Sequence, residues 1–297
     1  MARLRGLVDL LPERGGAAPD PGLQPEEDVE GVYRIVQADG RAEYDVRDLL
    51  RCIVDAGSFQ EFKGEFGRTI VTGYVRIQGR PAGVVANARR RSQDARGEVQ
   101  IGGVLYGDAA EKAARFVNDC DQNRIPLIFI QDVQGFMVGK QAEQSGIIRS
   151  GAELVRAMSI ATVPKFTVIV GSSFGAGHYA MCGRAYDPCL ILAWPNARYA
   201  VMGGNQAAET LVSLRIRDAE KGGTPLAPAA VAELRETTRR RYEEQTDIRF
   251  GAARGWVDAI IAPHETRKWL GAALSIITPS DLSRPPAAGR AIATRDV

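Results

Sequence analysis

The sequence predicts one α/β domain built on a mainly parallel sheet with helices on both faces. Three observations predict it. Residues 125–130, 163–170 and 190–193 read as apolar runs rather than as strict alternation, which is how strands covered on both sides read. Longer stretches with the 3.6-residue apolar repeat separate those runs, and strand–helix alternation of this kind builds parallel sheets. The length, 297 residues, fits one large domain or two small ones, and no internal repeat divides it.

In chain order, residues 4–11 form a short amphipathic piece. Gly15, Gly16, Pro19, Pro21 and Pro25, with the acidic residues 26–28, are linker chemistry. A helix is predicted over 45–56, capped by Asp45, with Val46, Leu49, Leu50 and Ile53 on one face. The β-branched segments 69–77 and 81–86 flank Gln78-Gly79-Arg80 and predict a hairpin. Residues 89–103 are charged and punctuated by glycine, hence a loop. Asp108 is predicted to cap a helix reaching residue 124, with Glu111 completing a capping box. Strand 125–130, a turn at 135–139, helix 144–161 and strand 163–170 follow. The chain then turns at 172–177 into a helix through Met181. Further strands are expected at 190–193 and 257–261, and helices at 206–220, 228–244 and 265–277. The domain boundaries read as 1–29 for the N-terminal helix and linker, 30–278 for the folded unit and 279–297 for a tail.

Composition narrows the function. Lys and Arg number 38 against 36 Asp and Glu, a net charge of +2, so nucleic-acid binding is not the expected role. No apolar run reaches the roughly 18 residues of a membrane span, and no secretory signal opens the chain. Cysteines 52, 120, 182 and 189 form no Cys-x-x-Cys pair, and with only two histidines no metal site is expected. A reducing cytoplasm suits them. There is no Gly-x-Ser-x-Gly elbow and no phosphate loop. Cys182 reads as a buried thiol in an apolar helix. His178 reads as a packed residue with no neighbouring serine or cysteine arranged as a dyad. The basic runs 89–91 and 239–241 read as solvated faces.

Three clusters remain. In Val170-Gly171-Ser172-Ser173-Phe174-Gly175-Ala176-Gly177-His178 a strand ends and a helix begins among small residues. The first amides of a helix lack an internal acceptor, so Ala176 and Gly177 could bind an oxyanion; equally, the glycines could only allow close packing of strand on helix. Gln131-Asp132-Val133-Gln134-Gly135-Phe136-Met137 follows the carboxyl end of a strand, where parallel sheets hold ligands; an ordinary covering loop is the other reading. Trp194-Pro195-Asn196-Ala197-Arg198 leads to Gly203-Gly204 before a helix, as a second amide site or as a simple connection.

Taken in order, these stretches resemble the C-terminal, biotin-side half of the carboxyltransferase subunit of biotin-dependent acyl-CoA carboxylases, nearest the 3-methylcrotonyl-CoA and geranyl-CoA branch. The segments that carry the resemblance are Phe59-Gln60-Glu61-Phe62-Lys63, Thr72-Gly73-Tyr74-Val75-Arg76-Ile77, Asp132 to Gly139, Ser145-Gly146-Ile147-Ile148-Arg149, Phe174 to Tyr186, Trp194 to Arg198 and Ala253-Arg254-Gly255-Trp256-Val257-Asp258. Seven ordered motifs span about residues 30–278.

The resemblance implies a crotonase-like superhelix of ββα units in a single domain. It implies CO2 transfer from carboxybiotin, carried on a carrier protein, to an acyl-CoA, with no metal and no side-chain base. By position, Ala176 and Gly177 would form the backbone oxyanion hole, and Gly135, Phe136, Met137, Gly175, Gly203 and Gly204 would line the biotin site. It implies as partners a CoA-binding carboxyltransferase half, expected on a separate chain because residues 4–13 match only the helix and linker that follow that half. It further implies a biotin carboxylase with its carrier, and an oligomer of the trimer-of-dimers kind, for which the apolar faces of helices 206–220 and 228–244 could serve. Cys189 and Asn205 depart from the branch pattern, which leaves the acyl specificity open. A biotin-dependent decarboxylase subunit and a non-catalytic assembly module are the alternatives.

Overall fold

The computed structural model describes residues 20, 22–40, 42–223 and 226–282; the amphipathic piece expected at 4–11 and the tail beyond 282 lie outside the described residues. Within the central strands, successive side chains point to opposite faces. Leu127 and Phe129 accordingly join one core with Val85, Phe116, Leu154 and Met158. Ile128 and Ile130 join another with Val84, Phe166, Val168, Leu49 and Leu270. Both faces of the sheet are therefore dry, as the apolar runs predict.

The hairpin forms as strands β2 (Ile70–Ile77) and β3 (Arg80–Asn87), with the two-residue β1 (Gln60–Glu61) antiparallel at its edge. The parallel part follows as β7 (Leu127–Val133), β9 (Lys165–Phe174), β10 (Leu190–Ala193) and β12 (Ala259–Ile260). The order across the sheet is β1-β2-β3-β7-β9-β10-β12, and β11 (Arg198–Ala200) continues beside the end of β9. Early helices are α1 (Val32–Ile35), α2 (Val46–Ile53) and α3 (Gly107–Gln122). The expected cap of α2 forms: Asp45 accepts from the Arg47 amide at 3.0 Å.

Several expectations at element ends are corrected. Helix α3 begins at Gly107, so Asp108 lies inside its first turn, bound to the Ala109 amide and to Gln100. Glu111 accepts instead from Ser150, 2.8 Å away, and no capping box forms. The helix expected over 144–161 is two, α4 (Lys140–Gln144) and α5 (Ile147–Ile160), because Gly146 between them is left-handed. The loop 89–103 holds a small ribbon, β4 (Ser92–Gln93) against β5 (Val99–Gln100), closed by Asp94 accepting from the amides of Arg96 and Glu98. The pieces β6 (Val104–Leu105) and β8 (Gly135–Phe136) pair beside it, which orders half of the turn predicted at 135–139.

The later helices α7 (Gly204–Lys221) and α8 (Pro228–Thr246) pack mainly on each other, with Ala207, Ala208 and Val212 buried and Leu211, Leu214 and Leu226 exposed. Arg239 is held between Glu236 and Glu243, so that basic run is a paired, solvated face. The chain closes through α9 (Ile248–Ala252), α10 (Thr266–Ser275) and α11 (Pro279–Leu282). Arg267 of α10 is buried. It donates to the carbonyls of Ile53 and Leu23 and to Asp55, whose oxygens also accept from the amides of Gln78 and Gly79 at the hairpin turn. One ion pair thus joins three segments far apart in sequence.

Candidate active site at the β9–α6 turn

Strand β9 is buried to its end and runs four residues beyond the apolar stretch, through Phe174. The chain then enters the short helix α6 (Gly175–Ala180). Phe174 stands at the N-cap and has no side-chain acceptor to offer, so it leaves the first amides of α6 uncapped. Six residues build little macrodipole; the free N–H groups themselves are the donors. Ala176 is exposed, whereas Gly177 is buried on the opposite side of the helix.

The glycines have separate reasons. Gly175 takes φ +54°, and a Cβ there would sit 2.8 Å from the Val201 carbonyl oxygen. Gly177 lets α6 close onto the end of β7: a Cβ would lie 2.6 Å from Val133 Cγ2 and 3.1 Å from Gly135 Cα. Close packing and uncapped amides occur together at this turn. Gly135 and Phe136 are therefore neighbours of the turn, and Phe136 rests on Gly151 of α5. The Met137 amide is bound to the Leu105 carbonyl, which fixes its backbone just after Phe136. Segment 201–204 reaches the turn through Val201, but Gly204 turns away toward Arg239 and Glu243 of α8.

Underneath, β7 grips the turn by its polar residues. The ladder between β7 and β9 shifts register between Gln131 and Val133. In that irregularity Asp132 accepts from the Ser172 amide at 2.8 Å and from Tyr44 Oη at 3.0 Å. Arg89 Nε lies 3.2 Å away as an ion pair off the hydrogen-bonding line, so Arg89 is not a solvated charge. Burial raises the Asp132 carboxyl above its usual range, and Arg89, the Ser172 amide and Tyr44 oppose that rise.

His178 is a packed, hydrogen-bonded residue near the turn, as expected, and the serine it meets is not arranged as a dyad. Its Nδ1 lies 2.7 Å from Ser173 Oγ and 3.3 Å from Gln131 Oε1, and Ser173 Oγ donates to Gln131 Oε1 at 2.6 Å. Gln131 Nε2 donates to the Met181 carbonyl at 2.6 Å. The serine proton therefore points to glutamine, not to imidazole, and Ser173 is fully buried. This is not a nucleophilic dyad. Ser173 and His178 stand five residues apart, but Gln131 lies 42 and 47 residues from them; the polar Gln131 and Ser173 inside apolar strands were the available signal. Cys182 is a buried thiol as expected, pushed up to about 12 by burial, although it lies just past the end of α6 rather than within it.

Burial lowers His178 from its ordinary 6.5 to about 4. The fold holds the ring neutral at pH values where the unfolded chain protonates it. The stability tied to this group is complete above pH 6.5 and is lost as pH falls from 6.5 toward 4. The loss amounts to about 3 kcal/mol. Urea unfolding of the parent and of His178→Asn across that range should show the parent losing more stability than the variant by about that amount; parallel pH profiles would refute the buried neutral ring.

Among the described residues no helix is long and apolar enough to cross a membrane, and no group of three or more His, Cys, Asp or Glu side chains could hold a metal ion. The family model for the carboxyl transferase domain matches residues 1–291. The biotin-dependent 3-methylcrotonyl-coenzyme A carboxylase beta1 subunit of Mycobacterium tuberculosis is 41% identical over 262 residues, 88% of this chain and 47% of that protein. The beta subunit of geranyl-CoA carboxylase from P. aeruginosa superposes with a TM-score of 0.74 at 37% identity, over 90% of this chain and 46% of its own. Transcarboxylase 12S, whose structure is described as a hexamer assembly with methylmalonyl-coenzyme A bound, superposes at 0.77 and 35% identity, over 92% of this chain and 50% of its own. The chain spans about half the length of the relatives it matches, and its α/β fold is that of the crotonase-like carboxyltransferase subunits. With the family model matched from residue 1 to 291 and identity reaching 41%, the chain belongs to the carboxyl transferase domain family.

Proposed function

We propose that this chain is the biotin-side half of an acyl-CoA carboxyltransferase, working with a complementary CoA-binding half, and that residues 30–278 form that unit between an N-terminal linker and a tail. The observation that carries the reading is the uncapped α6 turn, with Ala176 exposed at its first amides and Gly135 and Phe136 packed beside it. The residues suit biotin: an oxygen needs donors and room, which Ala176 and Gly177 supply through their backbone, while Phe136 and Met137 offer apolar surface. When bound on its carrier, biotin would supply the activated CO2.

The protein's own part is electrostatic. Amides fixed in advance stabilise negative charge on an oxygen without reorganising as it develops. Asp132 holds the end of β9 behind them through the Ser172 amide, and Val133 and Gly135 fix the helix from the side. Around the turn Val138, Ile148, Tyr179 and Val201 are exposed, an open apolar rim of the kind a second protein surface covers. That supports a site completed by the CoA-binding half, with a biotin carboxylase and its carrier as further partners in the cytoplasm and a larger oligomer as the working form. The exposed Leu211 and Leu214 of α7, with Leu226 just before α8, mark the proposed association face.

The test mixes the full chain with a candidate CoA-binding carboxyltransferase chain, carboxylated biotin carrier, and methylcrotonyl-, geranyl- or propionyl-type CoA. Transfer of labelled CO2 only when both chains are present is the expected result. No transfer with any partner or acyl-CoA would overturn the reading.

A further inference from the structure

The polar cluster beneath the α6 turn has no part in the chemistry described so far. Gln131, Ser173 and His178 are all buried, and together they tie three points: the last residues of β9, the middle of α6 and the carbonyl of Met181 just after α6. The bonds are directional. Gln131 Nε2 faces the Met181 carbonyl at 2.6 Å, which turns Oε1 toward Ser173 and His178. Ser173 gives its proton to Gln131, so its remaining acceptor capacity takes the His178 Nδ1–H. The opposite tautomer would bury an N–H at His178 Nε2, an atom with no polar partner, beside Gly183.

From this geometry we infer that Gln131 is a positioning residue for the α6 amides: its side-chain amide fixes where Ala176 and Gly177 point by clamping Ser173, His178 and Met181 at once. The inference rests on the proposed carboxyltransferase reading for its catalytic meaning, but the clamp itself is a property of the fold. Gln131 touches neither Ala176 nor Gly177 by any bond described here. It acts through the helix and the strand that carry them.

The test uses Gln131→Met, which keeps the bulk and removes both polar ends, and Ser173→Ala, which removes one link with little change of volume. Hydrogen exchange on the full chain reads the clamp without partner or biotin. The amides of Met181 and Cys182, bonded to the carbonyls of Gly177 and Tyr179, are the reporters. Each variant should exchange there about ten-fold faster, the size expected for one lost buried hydrogen bond, while the β2–β3 hairpin keeps its protection. A Gln131→Glu variant should move the NMR titration of His178 upward, because a carboxylate beside Nδ1 favours the charged ring; with two histidines in the chain the signal is simple to assign. In the transfer assay, kcat should fall about ten-fold in Gln131→Met with the KM for acyl-CoA unchanged. Unchanged exchange at 181–182 in both variants, or an equal acceleration in the hairpin, would overturn the assignment. Faster exchange at 181–182 in the variants, together with a parent that transfers no CO2 with any partner, would uphold the clamp and overturn the carboxyltransferase reading alone.

Discussion

Gly177→Ala should lower CO2 transfer by about 10²-fold, the scale of losing one oxyanion donor. Gly177 is buried, and a methyl group there meets Val133 Cγ2 at 2.6 Å and Gly135 Cα at 3.1 Å. The second neighbour is backbone and cannot rotate aside. Helix α6 must therefore move off the end of β7, and its first amides move with it; displacements on the order of 1 Å at reacting positions cost this much. Ala176→Val makes the useful contrast. Ala176 is exposed, so the larger side chain is accommodated, the amide stays, and only the approach of an oxygen is obstructed. Gly177→Ala should lose activity and lower the melting temperature, whereas Ala176→Val should lose activity with melting unchanged. Full activity in Gly177→Ala would mean that the packing of α6 on Gly135 does not set the amides.

Arg267→Met should destabilise the fold by about 3 kcal/mol, at the low end for breaking a buried ion pair. The low end applies because Asp55, left behind, still accepts from the amides of Gln78 and Gly79. The arginine also satisfies the Ile53 and Leu23 carbonyls, and methionine leaves both without that donor. Adding Asp55→Asn to Arg267→Met should cost less than Asp55→Asn alone, since the buried charge it removes is by then unpaired. Denaturant midpoints of the four proteins check this. Strictly additive losses would show that the pair is not coupled.

What the sequence made legible follows from where the physics is local. The apolar runs at 125–130 and 190–193 and the Asp45 cap were readable because burial and capping act within a few residues. The α6 turn was readable in kind, since small residues after a buried strand leave few alternatives. Its two glycines needed the fold: one answers to Val201 and the other to Val133 and Gly135, neighbours that no local pattern names. Gln131 lies 42 residues from Ser173, and Asp55 lies 212 from Arg267; for the first a polar residue in an apolar strand was the trace, and for the second no local pattern names the partner. Asp108 was misread by two positions, since the cap is Tyr106, because an acidic residue favours both the cap and the first turn. The motifs 132–139 and 174–186 carried the family resemblance, which is why the carboxyl transferase family was legible in the sequence.

In the proposed site the Ala176 and Gly177 amides receive the biotin oxygen. Titration of the 15N-labelled chain with free biotin tests it most directly. The amide signals of Ala176 and Gly177 should shift together, with Gly135 and Phe136 following as the adjacent wall, and Ala176→Val should abolish the response while the rest of the spectrum is preserved. Biotin-dependent shifts centred elsewhere, or an undiminished response in Ala176→Val, would contradict it.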